Sequence, residues 1–205
     1  MDDMKLILAS GSPRRRELLA GAGYSFDVIV SDAEESMDDA SDPAAVAKHN
    51  ALVKAAAVSS EAPAGALVIG ADTIVVLDGH IFGKPADAAQ AAQFLAELSG
   101  RTHQVITGVA LVMGDAFFSF HETTDVVFKD LDEQTIAAYV ATGDPLDKAG
   151  AYGIQSSGDM LVDHIEGDYD NVVGLPVTRL SRMLRKLGIE PDGADGCNEP
   201  DESES

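Results

Sequence analysis

Residues 9–18, ASGSPRRREL, set three consecutive arginines just after a small-residue turn, in a chain whose 14 basic residues are outnumbered by 35 acidic ones. An apolar run, a Gly- and Ser-rich turn and a helix start form a layout that aims backbone N–H groups at an anion. Positive charge in a first helical turn opposes the macrodipole, so Arg14 and Arg15 are poorly placed unless an anion sits beside them. A bound polyphosphate is one answer. The other is a helix whose arginines face solvent or pair with acids such as Glu17, and on charge alone the two readings stand level.

A second feature is Asp72, inside the apolar run VIGADTIVV. A carboxylate embedded in a strand is costly unless it is paired, hydrogen-bonded or bound to metal. Gly70 two residues earlier suggests a close backbone approach or a bulge, both frequent beside active sites. Function is favoured over an Asp on the solvent face of an edge strand. Glu34 and Glu35 offer a second carboxylate for a hard divalent cation, although most acids of that loop must simply be solvated. Only seven lysines occur, and Lys54, Lys84 and Lys148 fall near turns or candidate site helices. The five histidines show no metal-binding spacing, and no P-loop, GxGxxG or GxSxG signature is present. The usual ATPase, dehydrogenase and α/β-hydrolase readings are thereby excluded.

The elements that must position these groups follow from periodicity and caps. A buried strand is expected over 4–9, then a helix capped by Ser12 and opened by Pro13. A strand at 25–30, an acidic loop and a helix from Asp42-Pro43 to about Ser59 come next. Residues 66–79 read as a strand interrupted at Gly70-Ala71-Asp72, with Asp78-Gly79 as a hairpin turn. A helix over 87–98 precedes a β-hairpin, 103–113 and 116–128, around Gly114-Asp115. A helix over 132–142 follows, then a Gly-rich stretch from 143 to 174 with one short strand, and a last helix from Pro176 to Leu187. The order is mixed α/β with crossover and hairpin units. One domain is expected over 1–188, with an acidic, disordered tail over 189–205.

Composition narrows the class. The length of 205 residues suits one large domain or two lobes. No apolar run is long enough to span a bilayer, and the lone Cys197 allows no internal disulfide. A formal net charge of -21 argues against broad nucleic-acid binding. A soluble cytoplasmic protein is expected, and the scarcity of lysine resembles the proteins of salt-loving archaea.

The stretches LASGSPRRRELL, GADTIVV, GKP, LSGRTHQVITGVAL and DKAGAYGIQ…NVVGLP, in that order across roughly 5–187, together resemble the Maf family of nucleoside triphosphate pyrophosphatases. The resemblance implies an α/β fold, a mixed twisted sheet with flanking helices and two lobes around a cleft, similar to the inosine triphosphatase class. It implies hydrolysis of a nucleoside triphosphate to monophosphate and pyrophosphate with a divalent metal, Mg²⁺ or Mn²⁺. It makes Asp72 the general base, puts Ser10, Arg14 and Arg15 at the phosphates, and adds Glu35, Lys54, Lys84 and Gln155. Glu35 and Asp72 would hold the metal. The run AGAYGIQ is similar to the branch acting on dTTP and UTP, with Arg14, Thr73 and Gln155 as its specificity positions. A 7-methyl-GTP pyrophosphatase and a non-catalytic nucleotide sensor are the alternatives. The expected partner is a small-molecule triphosphate, with no nucleic acid and no membrane, and a homodimer is left open. The chain departs from the family pattern at His49 and Asn50, where an arginine followed by leucine is usual.

Overall fold

The computed structural model describes residues 4–36 and 42–192. One twisted mixed sheet runs through it, with strand order β2-β1-β3-β5-β6-β7 and β4 paired to β3 alone. The strands are β1 (Leu6–Leu8), β2 (Asp27–Val28), β3 (Leu67–Leu77), β4 (His80–Phe82), β5 (Thr102–Met113), β6 (Ala116–Phe128) and β7 (Val162–Glu166). β1 pairs in parallel with β2 and β3, whereas β3, β5, β6 and β7 are antiparallel neighbours. Local chemistry sets the turns. Asp78 and Gly79 both adopt positive φ, 52° and 83°, which a two-residue hairpin of matching twist requires.

The interruption expected at Gly70-Ala71-Asp72 is absent. β3 is continuous, and its register with β5 passes unbroken through Gly70↔Ala110, Ala71↔Val109 and Asp72↔Gly108. The glycine serves a different need. Helix α2 (Pro43–Ser59) lies across this face of the sheet on a surface of Ala47, Ala51 and Ala55. A Cβ on Gly70 would collide with the Ala51 carbonyl oxygen and come 2.9 Å from the Ala55 nitrogen. A Cβ on Gly108 would reach 2.5 Å from the Lys48 nitrogen. The helix therefore rests almost backbone to backbone on β3 and β5, and its side chains are held at fixed height above them.

On the opposite face sit α1 (Pro13–Gly21), α3 (Ala88–Leu98), α4 (Glu133–Val140), α5 (Ile154–Leu161), α6 (Tyr169–Val173) and α7 (Val177–Lys186). Acidic caps start several helices: Asp42, Asp87, Asp132 and Asp168 each accept a backbone N–H of the following turn. Two apolar clusters divide this face. One gathers Leu8, Ile69, Leu19 and Leu180, and the other gathers Phe82, Leu95, Phe128 and Tyr139. The expected pair of lobes is thus present, with a cleft between them. The stretch 143–174, expected to hold one short strand, also carries α5, α6 and two 3₁₀ turns, Asp144–Asp147 and Ala149–Ala151. Residues 25–30 form only the two-residue β2. The segment assigned to a tail begins by packing back, with the Asp192 amide donating to the Gly23 carbonyl (2.6 Å). From 193 on it lies outside the described residues.

Candidate active site

β1 pairs with β3 only at 67–69, and β4 only at 75–77. Residues 70–74 of β3 are therefore left with one edge that no strand covers. The loop after β1, Ala9 to Ser12, runs past this gap into α1. A crevice beyond the carboxyl end of a strand, where neighbouring connections diverge, is the usual ligand position of an open α/β sheet. A cleft of about 720 Å³ opens here, within the range of small-molecule sites.

The nine residues that the Maf resemblance assigns to the site all line it: Ser10, Arg14, Arg15, Glu35, Lys54, Asp72, Thr73, Lys84 and Gln155. The cleft also collects five of the fourteen basic residues, Lys148 being the fifth. In a chain of net charge -21, this grouping makes the cleft the place to look for an anion.

Asp72 is 4% exposed on an interior strand, not on a solvent-facing edge. Lys54 Nζ donates to its Oδ1 (2.7 Å), and Asn50 Nδ2 donates to its Oδ2 (2.9 Å). Asn50 and Lys54 stand one helical turn apart on α2, which the two glycines hold against the strand. The same Lys54 ammonium reaches Glu35 Oε1 at 2.6 Å. Burial pushes the Glu35 carboxyl up, but Lys54, backed by Lys84 and Arg15, outweighs it and holds the group below its ordinary value. Asn50, read from the sequence only as a departure, is thus part of the site. An amide one turn before a lysine on an otherwise alanine-lined face was its only signal. His49 is exposed. Glu34 is exposed and does not line the cleft.

The arginines divide their work. Arg15 turns its head inward: Nε donates to the Gly174 carbonyl (2.8 Å), Nη1 to Ala71 O (2.9 Å) and Ser10 Oγ (3.3 Å), and Nη2 to Thr73 Oγ1 (3.0 Å). Four of its five N–H groups are used, which leaves one for anything bound in the cleft. Burial lowers this guanidinium from its ordinary value, against the pull of Asp72 and Glu35. Thr107 donates to the Asn171 carbonyl (3.0 Å), so Thr73 donates to Thr107 (2.9 Å) while accepting from Arg15. The Thr73 hydroxyl proton is committed within the protein. Among the described residues, in contrast, Arg14 has only a long 3.7 Å contact with Asp147 across the cleft, and Lys84 has no ion-pair partner. Ser12 caps α1 through the Arg15 amide.

The far wall carries a cluster that was only hinted at by the scarcity of lysine. Lys148 Nζ donates to Asp144 O (2.8 Å), Asp144 Oδ1 (2.7 Å) and Asp147 Oδ1 (2.7 Å). Tyr139 and Ser156 each donate to Asp144 Oδ2 at 2.6 Å. Burial raises both aspartates, but the hydrogen bonds and charge of Lys148 prevail and hold them below the ordinary range. Gly153 is bare because Lys148 passes over it: a Cβ there would come 2.6 Å from Lys148 Cε. Gln155 stands exposed on the first turn of α5, with no side-chain hydrogen bond among the described residues. Among the described residues, no group of three or more His, Cys, Asp or Glu converges on a metal position, and no helix is long and apolar enough to cross a membrane.

Comparison with known proteins bears on this geometry. The sequence profile described as Maf-like protein matches residues 5–187. The chain belongs to the Maf family. Among curated relatives, a dTTP/UTP pyrophosphatase of Bacillus cereus (strain AH820) is 50% identical over 186 residues, 91% of this chain and 97% of its own length. A dTTP/UTP pyrophosphatase of Bacillus cytotoxicus is 52% identical over 183 residues, covering 89% and 95%. Among solved structures, the Staphylococcus aureus Ham1 protein superposes with a TM-score of 0.54 at 16% identity, over 89% of this chain and 99% of that one. That likeness shows the fold, and it is the one the Maf resemblance implied.

Proposed function

We propose that this protein hydrolyses dTTP and UTP to the nucleoside monophosphate and pyrophosphate. The observation that carries the reading is a buried carboxylate, Asp72, held at the one bare stretch of a central strand, on the floor of a cation-lined cleft. The half-identical relatives named for this activity support it.

The triphosphate enters where positive charge is least committed, at Arg14 and Lys84. Arg15 adds its one unused N–H. Charge-assisted hydrogen bonds of this kind are short and strong, and holding the phosphates fixes the α-phosphorus over the floor. Asp72 is the general base. Lys54 and Asn50 each occupy one lone pair of its carboxylate, and each oxygen keeps another with which to take a proton from water. The water oxygen bonds to the α-phosphorus, the bond from that phosphorus to the bridging oxygen breaks, and pyrophosphate leaves toward Lys84 and Arg14. Most of the rate comes from positioning and from charge placed in advance.

A divalent cation, Mg²⁺ or Mn²⁺, fits the donor set. Glu35 and Asp72 offer hard oxygens, already gathered round one cation, Lys54, and such an ion takes one or two carboxylates plus substrate phosphates. When bound, it supplies neutralisation of phosphate charge and polarisation of the phosphoryl oxygens. Base choice falls to Gln155, whose amide offers both donor and acceptor to the imide edge of thymine or uracil. Thr73 contributes through Arg15. The substrate is a free nucleotide of the cytoplasmic pool.

The test is pyrophosphate release from the common triphosphates and 7-methyl-GTP, with and without Mg²⁺, for wild type and Gln155→Ala. Wild type is expected to favour dTTP and UTP, and the variant to lose that preference. A purine preference in wild type overturns the substrate, and absence of turnover on every nucleotide overturns the activity.

A further inference from the structure

Lys54 joins the two acidic side chains of the site, but nothing in that ion pair fixes how the Asp72 carboxylate is turned or how the loop carrying Glu35 is docked. We infer that Asn50 does both, as the positioning residue of the catalytic carboxylate. This inference rests on the pyrophosphatase reading of the same site.

Asn50 is 1% exposed and makes three hydrogen bonds. Its Oδ1 accepts the Ser36 amide (2.8 Å), and its Nδ2 donates to the Ser36 carbonyl (2.9 Å) and to Asp72 Oδ2 (2.9 Å). The amide thus grips both backbone groups of the residue next to Glu35. Its remaining proton fastens the second carboxylate oxygen of Asp72. Lys54, one turn further along α2, fastens the first. Two anchors on a helix seated directly on the sheet, where Gly70 and Gly108 meet its backbone, define the plane of the carboxylate. A single anchor leaves it free to rotate about its own bond. The loop lacks regular secondary structure over 29–36, so the paired hydrogen bonds from Asn50 stand in for a strand partner. Asn50 touches neither substrate nor water in this scheme and acts through Asp72.

The residue type matters in a way that a packing role would not require. A leucine of similar volume would fill the same space, but it would strand the Ser36 amide and carbonyl and release Asp72 Oδ2. An aspartate would still accept the Ser36 amide, yet it would set a second carboxylate against Asp72.

The experiment compares wild type, Asn50→Leu, Asn50→Asp and Asn50→Ser. The readouts are kcat and KM for dTTP, the Kd of non-hydrolysable α,β-methylene-dTTP, and the Tm. Asn50→Leu is expected to lower kcat roughly ten- to hundredfold, the loss of a hydrogen bond to a charged group. KM and the analogue Kd are expected to stay within about twofold, since transition-state positioning is lost and ground-state binding is not. Asn50→Asp is expected to be slower still. Where the leucine variant does not fold, Asn50→Ser, too short to bridge Asp72 and Ser36 together, is expected to show the same division between kcat and Kd. The inference is overturned if the folded variants keep more than half the wild-type kcat, if Kd rises as much as kcat falls, or if Asn50→Asp outperforms Asn50→Leu. Wild-type protein inactive on every nucleotide would instead sink the pyrophosphatase reading, an outcome visible before any variant is compared.

Discussion

Gly70→Ala is the sharpest test of how the site is held. The new methyl carbon would overlap the Ala51 carbonyl oxygen and lie 2.9 Å from both the Cβ and the nitrogen of Ala55. Backbone atoms cannot swing aside as a side chain can, so α2 must retreat by about 1 Å to restore ordinary contact distances. Overpacking of this kind costs about 1–3 kcal/mol, or a fall in Tm of roughly 3–10 °C for a domain of this size. The effect on turnover should be larger. Lys54 and Asn50 ride on the displaced helix while Asp72 stays on the strand, and a misplacement of ~1 Å can cost on the order of a hundredfold in rate. Gly21→Ala is the control, since nothing lies within 4 Å of a Cβ there. The assay is kcat for dTTP with thermal melting, both below the Tm of each variant. A Gly70→Ala protein with wild-type turnover would refute the claim that the α2–β3 contact sets the catalytic geometry.

Asp72→Asn should abolish turnover yet keep the Kd of a non-hydrolysable triphosphate. Residual activity above about a tenth, a loss under ~1.4 kcal/mol, would remove Asp72 as the base. Arg15→Ala should lower the Tm by roughly 10 °C, because the Gly174 and Ala71 carbonyls lose their partner in a half-buried place; an unchanged melt would mean those bonds contribute nothing. His103, whose Nε2 meets Tyr152 OH at 2.8 Å, is pushed by burial down to about 4 from 6.5. Its proton is then bound only by the unfolded chain between those values, so stability should fall as pH drops through that window, by up to about 3 kcal/mol in total. His103→Gln should melt with a shallower pH slope from 6.5 to 4.5, and equal slopes would count against the assignment. Raising KCl to 1 M shortens the Debye length to about 3 Å, so the surplus of acids should repel less and the Tm should rise. A flat or falling Tm would count against adaptation to salt.

What was legible in the sequence is what neighbours in the chain decide. Ser12 and Pro13 start α1, Asp42 and Pro43 start α2, and Asp78-Gly79 turns the β3–β4 hairpin, because caps and turns are satisfied within a few residues. Asp72 and the arginines stood out by themselves, as a carboxylate in an apolar run and cations in an acidic chain, whereas Ser10, Thr73 and Gln155 carry no such mark and were reached only through the Maf resemblance. The rest depended on distant partners. Gly70 looked like a break in a strand, and only the arrival of α2 shows why a side chain is excluded there. Asn50 looked like a deviation until Ser36 and Asp72 met it. Arg15 resembled Arg14 in sequence, yet its acceptors come from β3 and from Gly174, far along the chain. Helix α5 contains Gly158, a poor helix former, so the sequence carries little local signal for it.

The bare stretch of β3 also decides how the site is shared between the two lobes. β5 accompanies β3 along nearly its whole length, whereas β1 grips only one end and β4 only the other. The lobes are therefore two arms joined through one shared ribbon, and at residues 70–74 that ribbon is braced by β5 on one edge and by α2 on one face. Asp72 lies on that shared stretch. Arg14 rides on one arm, and Lys84 and Gln155 ride on the other. A nucleotide that spans the cleft is therefore held from both sides, while the group that takes the proton belongs to neither arm and sits on the strand the two arms share.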